Sequence, residues 1–224
     1  NMFLFPLIGY ATVSTVLAGE FEKISLVQSL RGFIPLHKLA PGLQILILFL
    51  LRDFLQWNIH VVLHRVPFLW KLHEVHHSSE TMSFPVHLRY HWAENIIYRV
   101  PEYVVFLLIG SNVSDVFIIY VVSLTIGHLN HANVKLPWGF LKYIFNTSEL
   151  HMWHHAKNPP NRFGVNFAIS LSLWDWVFRT AYNPPRQPEA IGLTDETRFP
   201  KSFLRQLFWP WGSAKNTNTG GSAL

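Results

Sequence analysis

Long apolar stretches separated by short polar breaks dominate the chain, and their lengths predict helices. Residues 3–18 are apolar and nearly as long as the about 20 residues that a helix needs to cross a bilayer. A second apolar stretch begins at residues 43–51, and its helical pattern continues past Arg52 and Asp53 to His64. We expect this helix to leave the membrane near Arg52 and to end before Pro67.

Two further apolar stretches, residues 100–109 and 116–126, are separated by a polar break at residues 110–114. The break contains Gly, Asn and Ser, which favour turns, so the pattern predicts a hairpin of two short spans. Because the break has no Lys or Arg, we expect it to face away from the cytoplasm. The histidine-rich segments then lie on the cytoplasmic side.

The segment 163–178 is also apolar, but it carries Asn166, Ser170, Ser172 and Asp175. We therefore predict a packed re-entrant or cytosolic segment there, rather than a span. Residues 183–224 are rich in Pro and polar side chains and are predicted to form a C-terminal tail. The predicted fold class is all-α: an integral membrane helical bundle of about four spans with a cytosolic, histidine-rich helical cap.

The composition agrees with a membrane protein. Half of the residues are hydrophobic and 14% are charged, against about 25% in an ordinary soluble domain. The net charge of +5 comes from scattered basic residues, so we expect a membrane surface as the partner and no nucleic acid. The chain contains no cysteine, which excludes disulfides, iron–sulfur clusters and thiolate-ligated haem within it.

Ten of the thirteen histidines fall into four clusters, and their spacing carries the candidate chemistry. Separations of three and four residues put side chains on one face of a helix, and neutral imidazole is the commonest protein metal ligand. Zinc takes about four ligands, so ten imidazoles fit two metals with four or five ligands each. Imidazole suits Fe, Zn, Cu and Ni, so the ligand type leaves the metal open. The predicted ligands are His60, His64, His73, His76, His77, His128, His131, His151, His154 and His155.

Two carboxylates are candidates for orienting a ligand imidazole. Asp53 lies seven residues before His60, two helical turns away on the same face, and a solvated charge at the membrane boundary is the alternative. Asp175 lies between two Trp residues in an apolar stretch, where an unpaired buried carboxylate would be costly.

Three further histidines lie outside the clusters. His91 has Arg89 and Glu94 nearby, so it is a candidate ligand or ligand-supporting group, and a structural polar cluster is the other interpretation. His37 and His87 are predicted to be surface or interfacial residues.

The motifs have a recognisable order: Asp53-Phe54-x-x-Trp57-x-x-His60-x-x-x-His64-Arg65, His73-x-x-His76-His77-Ser78-Ser79-Glu80, Arg89-x-His91-x-x-Glu94, Asn130-His131-Ala132-Asn133, and His151-x-x-His154-His155 with Trp174-Asp175-x-x-Phe178. Over residues 53–182 this order resembles the fatty acid hydroxylase/sterol desaturase superfamily. The resemblance implies an integral membrane, non-haem di-iron oxygenase that uses O₂ to hydroxylate or desaturate a lipid. It implies two iron ions in the working enzyme, with zinc as an alternative occupant in purified protein.

We expect residues 1–182 to form a single membrane-embedded catalytic domain. Met152, Trp92 and Arg179 stand where many relatives have Arg, Pro and Gly, and these departures leave the ligand set intact. The 224 residues contain no haem-binding cytochrome domain, so we expect electrons from a separate reductase, cytochrome or ferredoxin. Sterols, ether lipids, fatty acyl chains, aminolipids and carotenoids all remain compatible substrates.

Two other function classes fit part of the pattern. A membrane metal carrier or storage protein would also need many ligands, but transporters place such groups near the bilayer midplane, whereas these lie at span ends. A bis-histidine haem cytochrome would need paired single histidines, and this chain has triplets.

Overall fold

The structure is a computed structural model that describes residues 32–111 and 113–211, together with Lys23, Ser25 and Ser29. Regular structure in these residues is helical, without a β-strand, which confirms the predicted all-α class. The predicted span at residues 3–18 lies outside the described residues. The α-helices are α1 Pro41–Arg65, α2 Pro67–His77, α3 Trp92–Ile109, α4 Val113–His131, α5 Ser148–His154, α6 Leu173–Val177 and α7 Phe203–Leu207. Short 3-10 helices cover Leu36–Lys38, Phe84–Leu88 and Gly139–Tyr143.

The longest helix, α1, ends where the sequence predicts. Val66 leaves the helical region with φ −92° and ψ 116°, because the proline at position 67 disfavours a helical residue before it. Among the described residues α1 is the one helix found to be long and apolar enough to cross a bilayer. Of the four predicted spans, the described residues therefore support one by length and composition.

The predicted hairpin is present, and both of its helices are longer than the apolar stretches that predicted them. Gly110 ends α3 in the left-handed conformation at φ 71°, which favours glycine. Helices α3 and α4 pack on α1 through a core of Leu48, Phe106, Ile109 and Ile119. The hairpin therefore packs on the N-terminal, apolar half of α1. His60 and His64 lie in the C-terminal half.

Arg52 and Asp53, near which α1 is predicted to leave the membrane, are both buried inside the bundle. Arg52 is 3% exposed and faces the inside of the bundle, where its Nε lies 3.2 Å from Glu102 Oε1. Arg99 and the Tyr120 hydroxyl donate to the second oxygen of Glu102 at 2.7 and 2.6 Å. Charged side chains within apolar helices face the bundle interior and pair there, which explains why the apolar run tolerates them.

Residues 183–211 pack against the helices through specific contacts. The Trp153 indole donates to the Arg186 carbonyl at 3.0 Å, and Lys157 pairs with Glu196. The Trp209 indole donates to Glu74 Oε2 at 3.1 Å from a position that is 7% exposed. This segment therefore covers the outer faces of α2 and α5.

Candidate metal centre

Nine of the ten predicted ligands come together in two adjoining groups. Within each group the potential ligand atoms, one from each residue, lie within 4.8 Å of one another. The five-histidine group consists of His60, His64, His73, His77 and His154. The four-histidine group consists of His76, His131, His151 and His155. The two groups share a boundary, since the His77 and His155 rings stack with centroids 4.4 Å apart.

Each histidine triplet contributes to both groups, and the two triplets divide in opposite ways. On α2, the pair His73 and His77 joins the five-histidine group and His76 joins the other. At α5, His154 joins the five-histidine group while His151 and His155 join the other. Residues four apart face nearly the same side of a helix, about 40° apart, whereas the middle residue of each triplet points about 60° away from the first and about 100° away from the last. Each triplet therefore lets a single helix supply imidazoles to both groups.

Five of the grouped imidazoles are held by a hydrogen bond from Nδ1 to a protein oxygen. His60 donates to the Phe167 carbonyl at 2.7 Å, His76 to the Arg89 carbonyl at 2.9 Å and His154 to the Val165 carbonyl at 2.9 Å. The remaining acceptors are the Gly127 carbonyl for His131 and Glu94 for His73, both at 2.7 Å. A neutral ring that donates from Nδ1 has a lone pair and no proton at Nε2.

Lone pairs consequently face each other inside both groups. His60 Nε2 lies 3.0 Å from His73 Nε2, and His131 Nε2 lies 3.3 Å from His76 Nε2. All four rings donate from Nδ1, so no proton lies between the facing nitrogens. The Nε2 atoms of His64, His77 and His154 are buried without a hydrogen-bond partner among the described residues. Buried acceptors that face one another fit a cation at the centre of each group, because a metal ion would satisfy all of them.

Burial keeps the imidazoles of α2 and α5 neutral. Desolvation lowers the pKa of His76 to about 4, against an ordinary value of 6.5. The same cause holds the pKa of His154 and that of His155 well below the usual range. At neutral pH these imidazoles therefore have lone pairs available for a metal.

Glu94, which the sequence indicated only as a neighbour of His91, is the carboxylate that contacts a grouped imidazole. Its Oε2 accepts from His73 Nδ1 at 2.7 Å, and its Oε1 accepts from the His91 backbone N–H at 3.1 Å. The signal for this role was its place in the first turn of α3, three residues after the N-cap His91, where one oxygen closes a capping box and leaves the other free.

Asp175 and Asp53 act on the backbone of residues 167–171 and contact no imidazole within the described residues. Asp175 accepts from the backbone N–H groups of Phe167 and Ala168 at 2.9 and 2.8 Å. Asp53 accepts from those of Ser170 and Leu171 at 3.1 and 3.0 Å. Both carboxylates were predicted to contact an imidazole. They instead fix the segment whose Phe167 carbonyl accepts from His60, so their effect on His60 is indirect.

Three other histidines lie outside the two groups. His91 is the N-cap of α3: its Nδ1 accepts from the Ala93 N–H at 3.1 Å and its Nε2 donates to the Leu207 carbonyl at 3.0 Å. His128 belongs to neither group, because its ring stacks on Phe84 and its Nδ1 donates to the Phe84 carbonyl. His87 was predicted at the surface, yet its ring lies against His128 and His131, with centroids 4.8 and 5.1 Å away.

Several named proteins are similar to this chain over most of its length. The ornithine lipid hydroxylase OlsE of Rhizobium tropici is 30% identical over 169 residues, which cover 75% of this chain and 50% of that protein. An alkylglycerol monooxygenase of Caenorhabditis elegans is 28% identical over 157 residues, 69% of this chain and 30% of that protein. The methylsterol monooxygenase 1-1 of Arabidopsis thaliana is 22% identical over 164 residues, 72% of this chain and 54% of that protein.

The chain thus spans between 30% and 54% of the length of these three relatives. No solved structure matches it. The model of the fatty acid hydroxylase family matches residues 45–180, which include every member of both histidine groups and Glu94. The chain belongs to the fatty acid hydroxylase family.

Proposed function

We propose that this protein is a membrane-bound, non-haem di-iron oxygenase that hydroxylates or desaturates a lipid. The observation that carries the proposal is the convergence of nine imidazoles in two adjoining groups, with unprotonated nitrogens facing each other in both. Each group would hold one iron ion, although zinc fits the same donors and could replace iron in purified protein. When bound, the two irons would supply the activation of O₂ and the oxygen chemistry.

The protein's own groups would fix the ligands before the metal arrives. Backbone carbonyls and Glu94 hold five rings by Nδ1, so their Nε2 atoms already point inward. Such outer hydrogen bonds typically change metal affinity or activity by about 10- to 100-fold. Asp53 and Asp175 would contribute by fixing the 167–171 backbone, which makes them positioning residues.

The bilayer would surround the apolar end of the bundle. α1 is long enough to span it, and α4 exposes large apolar side chains, of which Phe117 is 67% exposed. His60 and His64 lie in the last two turns of α1, so the centre would lie at the membrane surface, on the cytoplasmic side. A lipid chain could then enter from the bilayer while its head group stays near the water.

The substrate class is inferred from the relatives. Ornithine lipids, alkylglycerols and methylsterols appear in their names, and all three are amphiphiles with a long or rigid apolar body. We therefore propose a membrane lipid as the substrate. Oxygen insertion into a C–H bond with O₂ needs two electrons, which a separate reductase, cytochrome or ferredoxin would supply.

The two other function classes fit the geometry less well. A carrier or storage protein must release its metal, whereas these nitrogens are buried and held by fixed acceptors. A haem cytochrome needs room for a macrocycle between two imidazoles. Here neighbouring rings contact each other directly: the centroids are 4.4 Å apart for His77 and His155 and 5.2 Å apart for His76 and His131.

The test combines metal content with product analysis. The purified chain should hold two metals, and host cells with the gene should contain an oxidised lipid that cells without it lack. His76→Ala and His154→Ala remove one ligand from each group and should abolish turnover, whereas His37→Ala is the matched control. Variants that fold, bind two metals and turn over normally would refute the proposed centre.

A further inference from the structure

Each histidine group receives imidazoles from α2, from α5 and from one long helix, and the two groups differ in how many the long helix supplies. The five-histidine group receives a pair four residues apart from the long helix α1, His60 and His64. The four-histidine group receives His131 from the long helix α4, and the residue four positions before it is Gly127. A glycine therefore stands on the face of α4 where the other group has its second imidazole.

The place left open by Gly127 is filled by the His87 ring. A Cβ atom added at Gly127 would lie 2.2 Å from His87 Cε1 and 2.5 Å from His87 Nε2, closer than real contacts allow. The ring thus lies directly on the backbone of α4, one turn before His131. No other residue type at position 127 leaves room for it.

The two nitrogens of the His87 ring also make no hydrogen bond within the described residues. The neighbours of the ring are the imidazoles of His128 and His131. His87 belongs to the 3-10 helix Phe84–Leu88, and the Arg89 carbonyl that follows it holds His76 of the same group.

We propose that His87 is the fifth imidazole of the four-histidine group, supplied from outside α4 to the face that Gly127 leaves open. This inference rests on the proposed function, since it assumes that the group holds a metal ion. It predicts a dependence between two residues 40 positions apart in the sequence: His87 needs a glycine at position 127, and a histidine at position 127 could replace it.

The variants are chosen to separate a ligand from a packing group. His87→Phe keeps an aromatic ring against His131 and removes both nitrogens. Gly127→Ala keeps His87 and introduces the Cβ atom that displaces its ring. The double variant H87A/G127H returns an imidazole to the same face from the helix itself. His128→Ala, which removes the other histidine in contact with His87, is the matched control.

The readout is metal retention, measured on the purified chains loaded with Fe(II) without oxygen. Each chain is titrated with a chelator, and the bound metal is followed by elemental analysis and by the number of nitrogen neighbours in X-ray absorption. We expect two metals in the unaltered protein and in His128→Ala. His87→Phe and Gly127→Ala should lose one of the two metals at chelator concentrations at least about 10-fold lower. H87A/G127H should regain the second metal.

The outcomes distinguish the two proposals. An unaltered protein that binds no metal refutes the proposed centre and this inference together. Two metals held equally well by the unaltered protein, His87→Phe and Gly127→Ala leave the centre in place and overturn the role of His87. Loss of metal from His128→Ala to the same extent as from His87→Phe would overturn it as well, because the effect would not then belong to the His87 ring.

Discussion

At the scale of residues, the acceptors that hold the imidazoles are mostly backbone carbonyls. Among the five Nδ1 hydrogen bonds between 2.7 and 2.9 Å, the partner of His73 is the one side chain. A carbonyl cannot be removed by mutation, so substitutions can test this arrangement at Glu94 directly and elsewhere through the residues that fix the backbone.

Glu94→Gln should weaken metal binding without unfolding α3. A Gln side chain can still accept from the His91 N–H, but it has one acceptor oxygen, so it cannot also serve His73 as a carboxylate does. We expect chelator resistance to fall by about 10- to 100-fold. Glu149→Gln, in the first turn of α5, is the control. Equal resistance in the two variants would show that the Glu94 contact does not support the centre.

Asp175→Asn should reduce the stability of the fold. The carboxylate accepts four hydrogen bonds, from Trp57, Phe167, Ala168 and Thr180. An amide nitrogen facing these donors leaves at least one buried N–H without an acceptor, which costs about 1–3 kcal/mol of unfolding free energy. Denaturant titration in detergent measures this, and exposed Asp195→Asn should change it by less than about 0.5 kcal/mol. A similar effect of both substitutions would contradict the account.

The sequence indicates which histidines come together, but it does not indicate the acceptors that hold their imidazoles. Helical spacing fixes which side chains share a face, so the clusters alone predicted ten ligands, of which nine come together. Partners are set by tertiary contacts: Asp53 binds backbone groups 117 and 118 residues later in the chain. His128 shared the spacing of a ligand pair, but its ring stacks on Phe84 and joins neither group.

At the scale of elements, short segments without periodicity position the two histidine groups. Asn166, with φ 55°, lies between the Val165 and Phe167 carbonyls that hold His154 and His60. Its side chain donates to the carbonyls of Leu150 and Tyr182 at 2.8 and 2.9 Å. The spacing of apolar residues predicts helices such as α1 well, because it follows the buried face of the helix. It does not predict a turn whose conformation depends on side-chain hydrogen bonds.

Trp209→Ala should destabilise the protein although it lies far from the histidines in sequence. The indole is buried and donates to Glu74 on α2, so its loss removes packing and a hydrogen bond. Truncation of a buried Trp costs about 3–5 kcal/mol. Trp211→Ala is the matched control, because Trp211 is 56% exposed, and it should cost less than half as much. Equal unfolding free energies for the two variants would show that residues 203–211 do not support α2.

At the scale of the whole molecule, some charged side chains are buried between helices that expose large apolar side chains. Glu102 and Arg52 are buried where α1 meets the hairpin, whereas Phe117, Val121 and Leu124 of α4 are exposed. This inversion of the soluble pattern is what a lipid environment favours. The composition predicted a membrane protein. It could not predict that Arg52 would be internal, because a charged residue in an apolar run indicates a membrane boundary unless its partner is known.

Site-directed labelling should place the hairpin turn and the histidine groups on opposite sides of the membrane. The chain has no cysteine, so Ser114→Cys and Asn158→Cys, both at exposed positions, each introduce one thiol. A membrane-impermeant maleimide should label Asn158→Cys from the cytoplasmic side and Ser114→Cys from the other. Labelling of both from one side would refute the proposed orientation.

The opposite division of the two histidine triplets makes the two proposed metal positions cooperative. An ion in the five-histidine group would fix His73 and His77, and with them the turn of α2 that carries His76 for the neighbouring ion. The same holds at α5, where His154 lies between two ligands of the other group. His76 and His154 are already oriented by their Nδ1 hydrogen bonds, so the first ion restricts the helix segments that carry them, and the second ion meets a smaller entropic cost. Singly loaded chains of the unaltered protein should therefore be scarcer in a native mass spectrum than independent binding of the two ions predicts.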